Sequence, residues 1–131
     1  MKPEGNEELV NYRIKKARET FNEVDILIKN KLWNTAINRL YYSCFYAVTA
    51  LLADNDIETH SHAGARQMLG LHFVRTGLIE QESGRFYTRI FDLRQTGDYD
   101  DFIDFDEPRV LELLEPADKL ITQIEKSILR K

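Results

Sequence analysis

The stretch LWNTAINRLYYSCFYAVTALLAD, from Leu32 to Asp54, is apolar over most of a helical wheel. Trp33, Ala36, Ile37, Leu40, Tyr41, Cys44, Ala47, Val48, Leu51 and Leu52 recur at helical spacing and spread over a wide arc. A helix with one apolar stripe packs against one neighbour, whereas a wide apolar arc requires several. This segment is expected to be the central helix of an all-α domain.

The flanking segments supply those neighbours. Upstream, Val10, Ile14, Ala17, Phe21, Val24 and Ile28 alternate spacings of four and three, which predicts a helix from about Asn6 to Lys29. Downstream, Asp54-Asn55-Asp56 ends the central helix and Ile57 to His62 reads as a loop. A shorter helix is expected from Ala63 to Arg75, closed by Thr76-Gly77 with the glycine as a left-handed cap. A fourth should cover Glu80 to Gln95, with Phe86, Ile90 and Leu93 inward and Gly97 beyond its end. A fifth begins near Asp106, whose side chain can cap free amides, with Pro108 tolerated in its first turn. Val110, Leu113, Ala117, Leu120, Ile124 and Ile128 form its stripe. The six glycines and three prolines are expected between these periodic segments. No stretch alternates with period two over a strand's length. Four long helices and one short one, joined by brief loops, predict an antiparallel four-helix-type bundle with an additional short helix. Residues 1–131 are expected to form one domain.

Composition bounds the function. Hydrophobic residues make up 43% and charged residues 31%, a globular balance rather than a disordered one. Eighteen basic against 22 acidic residues give a net charge of −4, so any RNA contact must come from a local basic patch. The acidity is concentrated between Asp98 and Glu107. No run approaches the roughly 20 apolar residues that span a bilayer, and the opening MKPEGNEELV lacks the apolar core of a signal peptide. A cytoplasmic protein without membrane association is expected. Cys44 is the only cysteine, which rules out an intrachain disulfide, and its apolar setting reads as core.

There is no phosphate-cradling Gly-rich loop, Cys-x-x-Cys pair, His-Glu-x-x-His or nucleophile-elbow serine, and no cofactor is expected. Three features remain. One is His60-Ser61-His62, with Arg66 a turn later and His72 beyond. A metal needs three convergent ligands, so histidines that cap the third helix and bond neighbouring side chains are expected instead. Another is Asn38-Arg39-Leu40-Tyr41-Tyr42-Ser43-Cys44-Phe45-Tyr46-Ala47, in which Asn38, Tyr42 and Phe45 or Tyr46 fall about one turn apart and put a polar-aromatic stripe beside the apolar arc. Buried hydroxyls there need partners, so the stripe is either satisfied core or a surface facing a ligand or a second copy. The last runs from Phe91 to Asp101. Arg94 closes the fourth helix, where a cation suits the negative end of the dipole. Arg85 and Arg89 precede it as a possible basic ridge, and an Arg94–Asp98 ion pair would fasten the helix end to the acidic loop.

In order and spacing these pieces resemble the HEPN (higher eukaryotes and prokaryotes nucleotide-binding) superfamily, especially small prokaryotic members encoded beside a minimal nucleotidyltransferase. The residues that carry the likeness are Trp33-x-x-Ala36 leading into Arg39-Leu40-Tyr41-Tyr42-Ser43-x-Phe45-Tyr46-Ala47, then His60-Ser61-His62. Gly70-x-x-Phe73-Val74-x-x-Gly77 and Arg94-x-x-Gly97-Asp98-Tyr99 complete it. The resemblance implies a helical bundle that forms a homodimer, with the fourth-helix arginines of both copies near a shared cleft, and a nucleotidyltransferase as partner protein. Active members cut RNA without metal through Arg-x4–6-His, the histidine moving protons and the arginine supporting charge on the phosphate. In such pairs the partner can attach AMP to a tyrosine near the arginine.

This sequence departs from that motif: the last histidine is His72, and five positions after Arg94 stands Tyr99. A phenol is a poor general base near neutrality, though it can donate a proton or stack on a base. The first reading is a module of a toxin–antitoxin or nucleotidyltransferase-associated system that binds RNA or nucleotide and a partner protein. It would use Asn38, Arg39, Tyr42, His60, His62, Arg89 and Asp98, without standard catalysis. The second is a metal-independent endoribonuclease toxin using Arg94 with Tyr99 or a loop histidine, and the third is a helical scaffold.

Overall fold

The chain reverses direction first at Asn30–Leu32. Lys31 takes a left-handed backbone (φ 59°), and the Leu32 amide bonds back to the Leu27 carbonyl at 2.9 Å. In the computed structural model, which describes residues 4–99 and 103–129, this turn joins α1 (Glu4–Lys29) to α2 (Trp33–Asp54). There follow α3 (His62–Leu69), a π-helical turn over Gly70–Val74, α4 (Gln81–Tyr99) and α5 (Glu107–Leu129).

Cross-links fix the topology. Asn6 Nδ2 donates to the Ala53 carbonyl and Arg13 to the Thr49 carbonyl, so α1 runs antiparallel to α2. Asn38 bonds Asp98 while Tyr41 stacks on Tyr87, which sets α4 antiparallel to α2. Arg89–Glu112 and Glu80–Lys119 pairs run α5 back along α4. Arg18 ties α1 to α5 through Asp118 (2.6 Å), Thr122 (2.8 Å) and Glu125 (2.8 Å). The result is an up-down-up-down bundle with α3 at one side.

The wide apolar arc of α2 has the predicted consequence: it packs against every other α-helix. Ile37, Leu40, Tyr41, Cys44, Val48, Leu51 and Leu52 are all 0–1% exposed, each large aliphatic among them contributing roughly 1.5–3 kcal/mol by burial. The stripes of α1, α4 and α5 meet it with Ala17 and Val24, Phe86 and Ile90, and Leu113, Ala117, Leu120 and Ile124.

Three expectations need correction. The third helix does not run as one α-helix to Arg75. It widens after Leu69, with the Arg75 amide reaching back five residues to Gly70, and both Leu69 and Phe73 stay buried. Gly77 does cap this segment with φ 86°. The fourth helix does not stop at Gln95, and Gly97 lies inside it. A Cβ at 97 would sit 2.7 Å from Phe105 Cε2, so glycine is there to let a ring lie on the helix rather than to end it. Nor do glycine and proline fall only between helices: Pro116 is inside α5, where it removes one backbone bond. Asp106 does cap α5, accepting from the Arg109 amide at 3.1 Å. The acidic Asp100 and Asp101 lie outside the described residues.

The segment entering α5 is anchored by a residue with no motif around it. Asn34 donates to the Ile103 carbonyl at 3.0 Å and accepts from the Phe105 amide at 2.8 Å. That pairing holds Phe105 over Gly97 and leaves the last turn of α4 against α2.

Candidate functional site

α4 turns Arg94 inward, toward α2, and leaves it 6% exposed. Its guanidinium carbon lies 4.7 Å from the Tyr41 ring centroid and 5.8 Å from that of Tyr42. Aromatic faces stabilise a desolvated cation by up to about 2 kcal/mol, but burial remains costly unless the N–H groups are paired. The carboxylate of Asp98, one turn on, is 3.6 Å from Nη1, longer than the roughly 2.7–2.9 Å of a tight charge-assisted bond. The buried Nε has no hydrogen-bond partner among the described residues. Arg94 is thus a nearly buried cation with bonding capacity in reserve.

Asp98 is steadied from α2, since Asn38 Nδ2 donates to its two oxygens at 3.1 and 3.3 Å. The Asn38 carbonyl oxygen accepts from Arg39 at 3.2 Å, and the Arg39 guanidinium lies 5.0 Å over the Tyr42 ring. Tyr42 is therefore flanked by two guanidinium groups, with Asp98 the nearby counter-charge. The Arg94–Asp98 pair forms within α4 and does not fasten the helix to a loop.

The second component comes from α3. Ser61 caps that helix by accepting from the Gly64 amide at 2.9 Å, so the cap is the serine and not a histidine. This starts the helix at His62 and swings the imidazole onto α2. His62 Nδ1 is 2.7 Å from the Tyr41 hydroxyl, a hydrogen bond whose direction follows the imidazole tautomer. The His62 ring also lies 4.3 Å from that of Phe45. Burial, then the charge of Arg94, lower the pKa of His62 below 6.5 and favour the neutral ring. Burial raises the Tyr41 phenol above its ordinary range, and Tyr87 beneath it further still.

The sequence-derived candidates divide accordingly. Asn38, Arg39, Tyr42, His62, Arg94 and Asp98 converge at one end of the α2–α4 seam. His60 is exposed on the loop. Arg89 belongs elsewhere: it pairs with Glu112 of α5 at 2.7 Å and lines a separate groove with Arg85 and Lys119, so no continuous basic ridge reaches Arg94. Tyr99 is 77% exposed, and five positions along an α-helix turn it about 140° away from Arg94. Tyr41 was missed as a site residue because it lies on the apolar arc. Its hydroxyl, which needs a partner once buried, was the available signal. Cys44, fully buried, has its thiol pushed up to about 12 by desolvation and takes no part. Among the described residues no group of three His, Cys, Asp or Glu side chains is placed to hold a metal ion, and no helix is long and apolar enough to cross a membrane.

Known proteins are similar to this chain over much of its length. A UPF0332 protein of Thermotoga maritima is 36% identical over 122 residues, covering 93% of this chain and 92% of its own. Two proteins of Methanocaldococcus jannaschii also match. The one named "Putative toxin MJ0605" is 40% identical over 83 residues, 63% of this chain and 62% of its own. MJ0142, named likewise, is 28% identical over 118 residues, 90% and 80%. The HEPN domain family matches residues 10–127, which cover most of α1 and α5, all of α2, α3 and α4, and the whole Arg94 cleft. With an all-helical bundle and near end-to-end kinship both in hand, this chain belongs to the HEPN domain family.

Proposed function

We propose that this chain is the RNA-binding HEPN module of a toxin–antitoxin or nucleotidyltransferase-associated system, and that it holds an RNA phosphate on Arg94. The observation that carries this reading is the guanidinium itself: nearly buried, 3.6 Å from its carboxylate, with Nε unpartnered. A phosphate oxygen offers the short bonds that Asp98 does not make. In this reading Tyr41 keeps its proton and donates it to His62 Nδ1. The neutral imidazole then carries its own proton on Nε2, a second donor beside the arginine. The Methanocaldococcus jannaschii relatives named "Putative toxin" support the system, and the resemblance supports a homodimer and a nucleotidyltransferase partner.

His62 favours a second reading, metal-independent cleavage. It brings an imidazole within reach of Arg94's charge although no histidine follows Arg94 in sequence. To act as a base it needs the other tautomer, with Nδ1–H donating to the Tyr41 oxygen and the Nε2 lone pair facing the substrate. Exposed Tyr99 would then serve as the acceptor of AMP, its phenol oxygen displacing pyrophosphate from ATP in the partner's active site. Added AMP mass on Tyr99 after co-expression would support that step, and an unmodified Tyr99 beside an active partner would count against it.

The deciding experiment titrates a mixed RNA pool with purified protein in chelator, beside Arg94→Ala and His62→Gln. Binding lost in Arg94→Ala, with the fold intact, supports the phosphate site. Binding unchanged in that variant sinks it. RNA shortened by the native protein but by neither variant establishes the cleavage reading. Light scattering tests the homodimer, which a monomeric mass would refute.

A further inference from the structure

His62 belongs to two places at once. On one side it bonds Tyr41 beneath Arg94. On the other it lines a groove of about 890 Å³ between the N-terminal half of α1, the C-terminal half of α2 and the loop before α3. Phe45 and His62 lie 4.3 Å apart in its wall with their rings tilted by 32°, and Tyr46 follows 6.3 Å from Phe45. All three side chains are half-buried, each keeping an open portion of ring. Arg13 lines the same groove, anchored to the Thr49 carbonyl at 3.3 Å. The loop before α3 adds Glu58 to the lining, and Asp56, whose carboxylate accepts from Asn6 Nδ2 at 3.2 Å and keeps its other oxygen as an acceptor.

That charge balance selects what the groove can hold. Two carboxylates against one guanidinium repel a phosphate, so the groove is not a continuation of the Arg94 phosphate site. Aromatic rings beside hydrogen-bond acceptors suit a flat heterocycle carrying amino groups. We infer that the groove is a nucleobase subsite for single-stranded RNA, taking the base next to the phosphate on Arg94 and preferring one with an exocyclic amine. The inference rests on the phosphate reading of Arg94. It adds that His62 is the shared wall, so the chain reads one phosphate and one base on its two sides. An unpaired strand is required, because a base held in a duplex cannot turn its face and its amino edge into a groove.

Three oligonucleotides of equal length and charge separate this idea from the one beneath it. Octacytidylate carries an amine where octauridylate carries a carbonyl, and an octamer of abasic ribose phosphates carries neither. In fluorescence anisotropy, octacytidylate should bind about five- to tenfold more tightly than the abasic strand, as stacking of one base predicts, with octauridylate between them. Tyr46→Leu should remove most of that advantage while leaving abasic binding unchanged. Glu58→Gln, an exposed change that keeps the fold safe, should bring cytidylate and uridylate together. Equal binding of all three strands, lost in Arg94→Ala, overturns the base subsite and leaves the phosphate site standing. Base-dependent binding that neither groove variant alters also overturns it, since the base is then read elsewhere. Folded protein that binds none of the strands overturns both.

Discussion

The Tyr41 hydroxyl and His62 Nδ1 stand 2.7 Å apart, joining α2 to the start of α3 across 21 positions of sequence. The bond fixes the plane of an imidazole whose other ring neighbours are Phe45, tilted against it at 4.3 Å, and Tyr42, edge-on at 5.8 Å. It also explains why α3 begins where it does, since Ser61 must cap the helix for His62 to face inward.

A pH dependence follows. Because burial and Arg94 both lower the pKa of His62, the unfolded chain binds its proton more readily than the folded one. Stability should therefore fall as pH drops through the window below 6.5, then level off once His62 is protonated in both states. Urea titrations between pH 7.5 and about 5 should show the loss. In Arg94→Met the ring should titrate closer to 6.5 by NMR. An unchanged His62 midpoint in that variant would show that Arg94's charge does not reach the ring.

Gly97 is predicted to be intolerant for a reason unrelated to helix propensity. Alanine would gain up to about 1 kcal/mol as a helix former. Its Cβ, however, meets Phe105 at 2.7 Å. Overpacking of this sort costs roughly 1–3 kcal/mol, so Gly97→Ala should be net destabilising. Pairing it with Phe105→Leu should recover part of the loss, and strictly additive effects in that double-mutant cycle would refute the contact.

Pro116 lies ten residues into α5, and its missing amide leaves the Glu112 carbonyl without its helical partner. Replacement by alanine should raise the denaturation midpoint, with a gain of up to about 3 kcal/mol. A destabilised Pro116→Ala would mean that the local bend it imposes is needed for packing against α4.

Cys44 offers a probe of opening. Fully buried, with its thiol pushed up to about 12, it should resist alkylation in the native state and react at the rate of unfolding or of large local opening. Labelling of native protein as fast as a free thiol would contradict the packing of α2.

The sequence was most informative where periodicity is long. The stripes of α1, α2 and α5 locate the core because burial of a helix face leaves a regular mark on composition. It was least informative at Gly97 and Pro116. There the residue type suggests a helix end, yet Phe105, eight positions on, or the neighbouring helices settle the matter. The cleft was half legible. Arg94, Asp98, Asn38 and Tyr42 stood out as polar groups at helical spacing, but the partnership of Tyr41 with His62 depends on how α3 crosses α2. Asn34 left no local mark at all, because both of its bonds go to backbone about 70 positions away.

The Arg94 cleft is assembled from pieces that leave the ribosome at different times. A chain emerged only as far as α3 has Tyr41, Tyr42 and His62 but no cation between the rings. The site comes into being only when α4 docks, and Asn34 can clasp Ile103 and Phe105 only after that. Any activity housed in the cleft is therefore a property of the finished bundle, and a chain truncated before α4 would lack it.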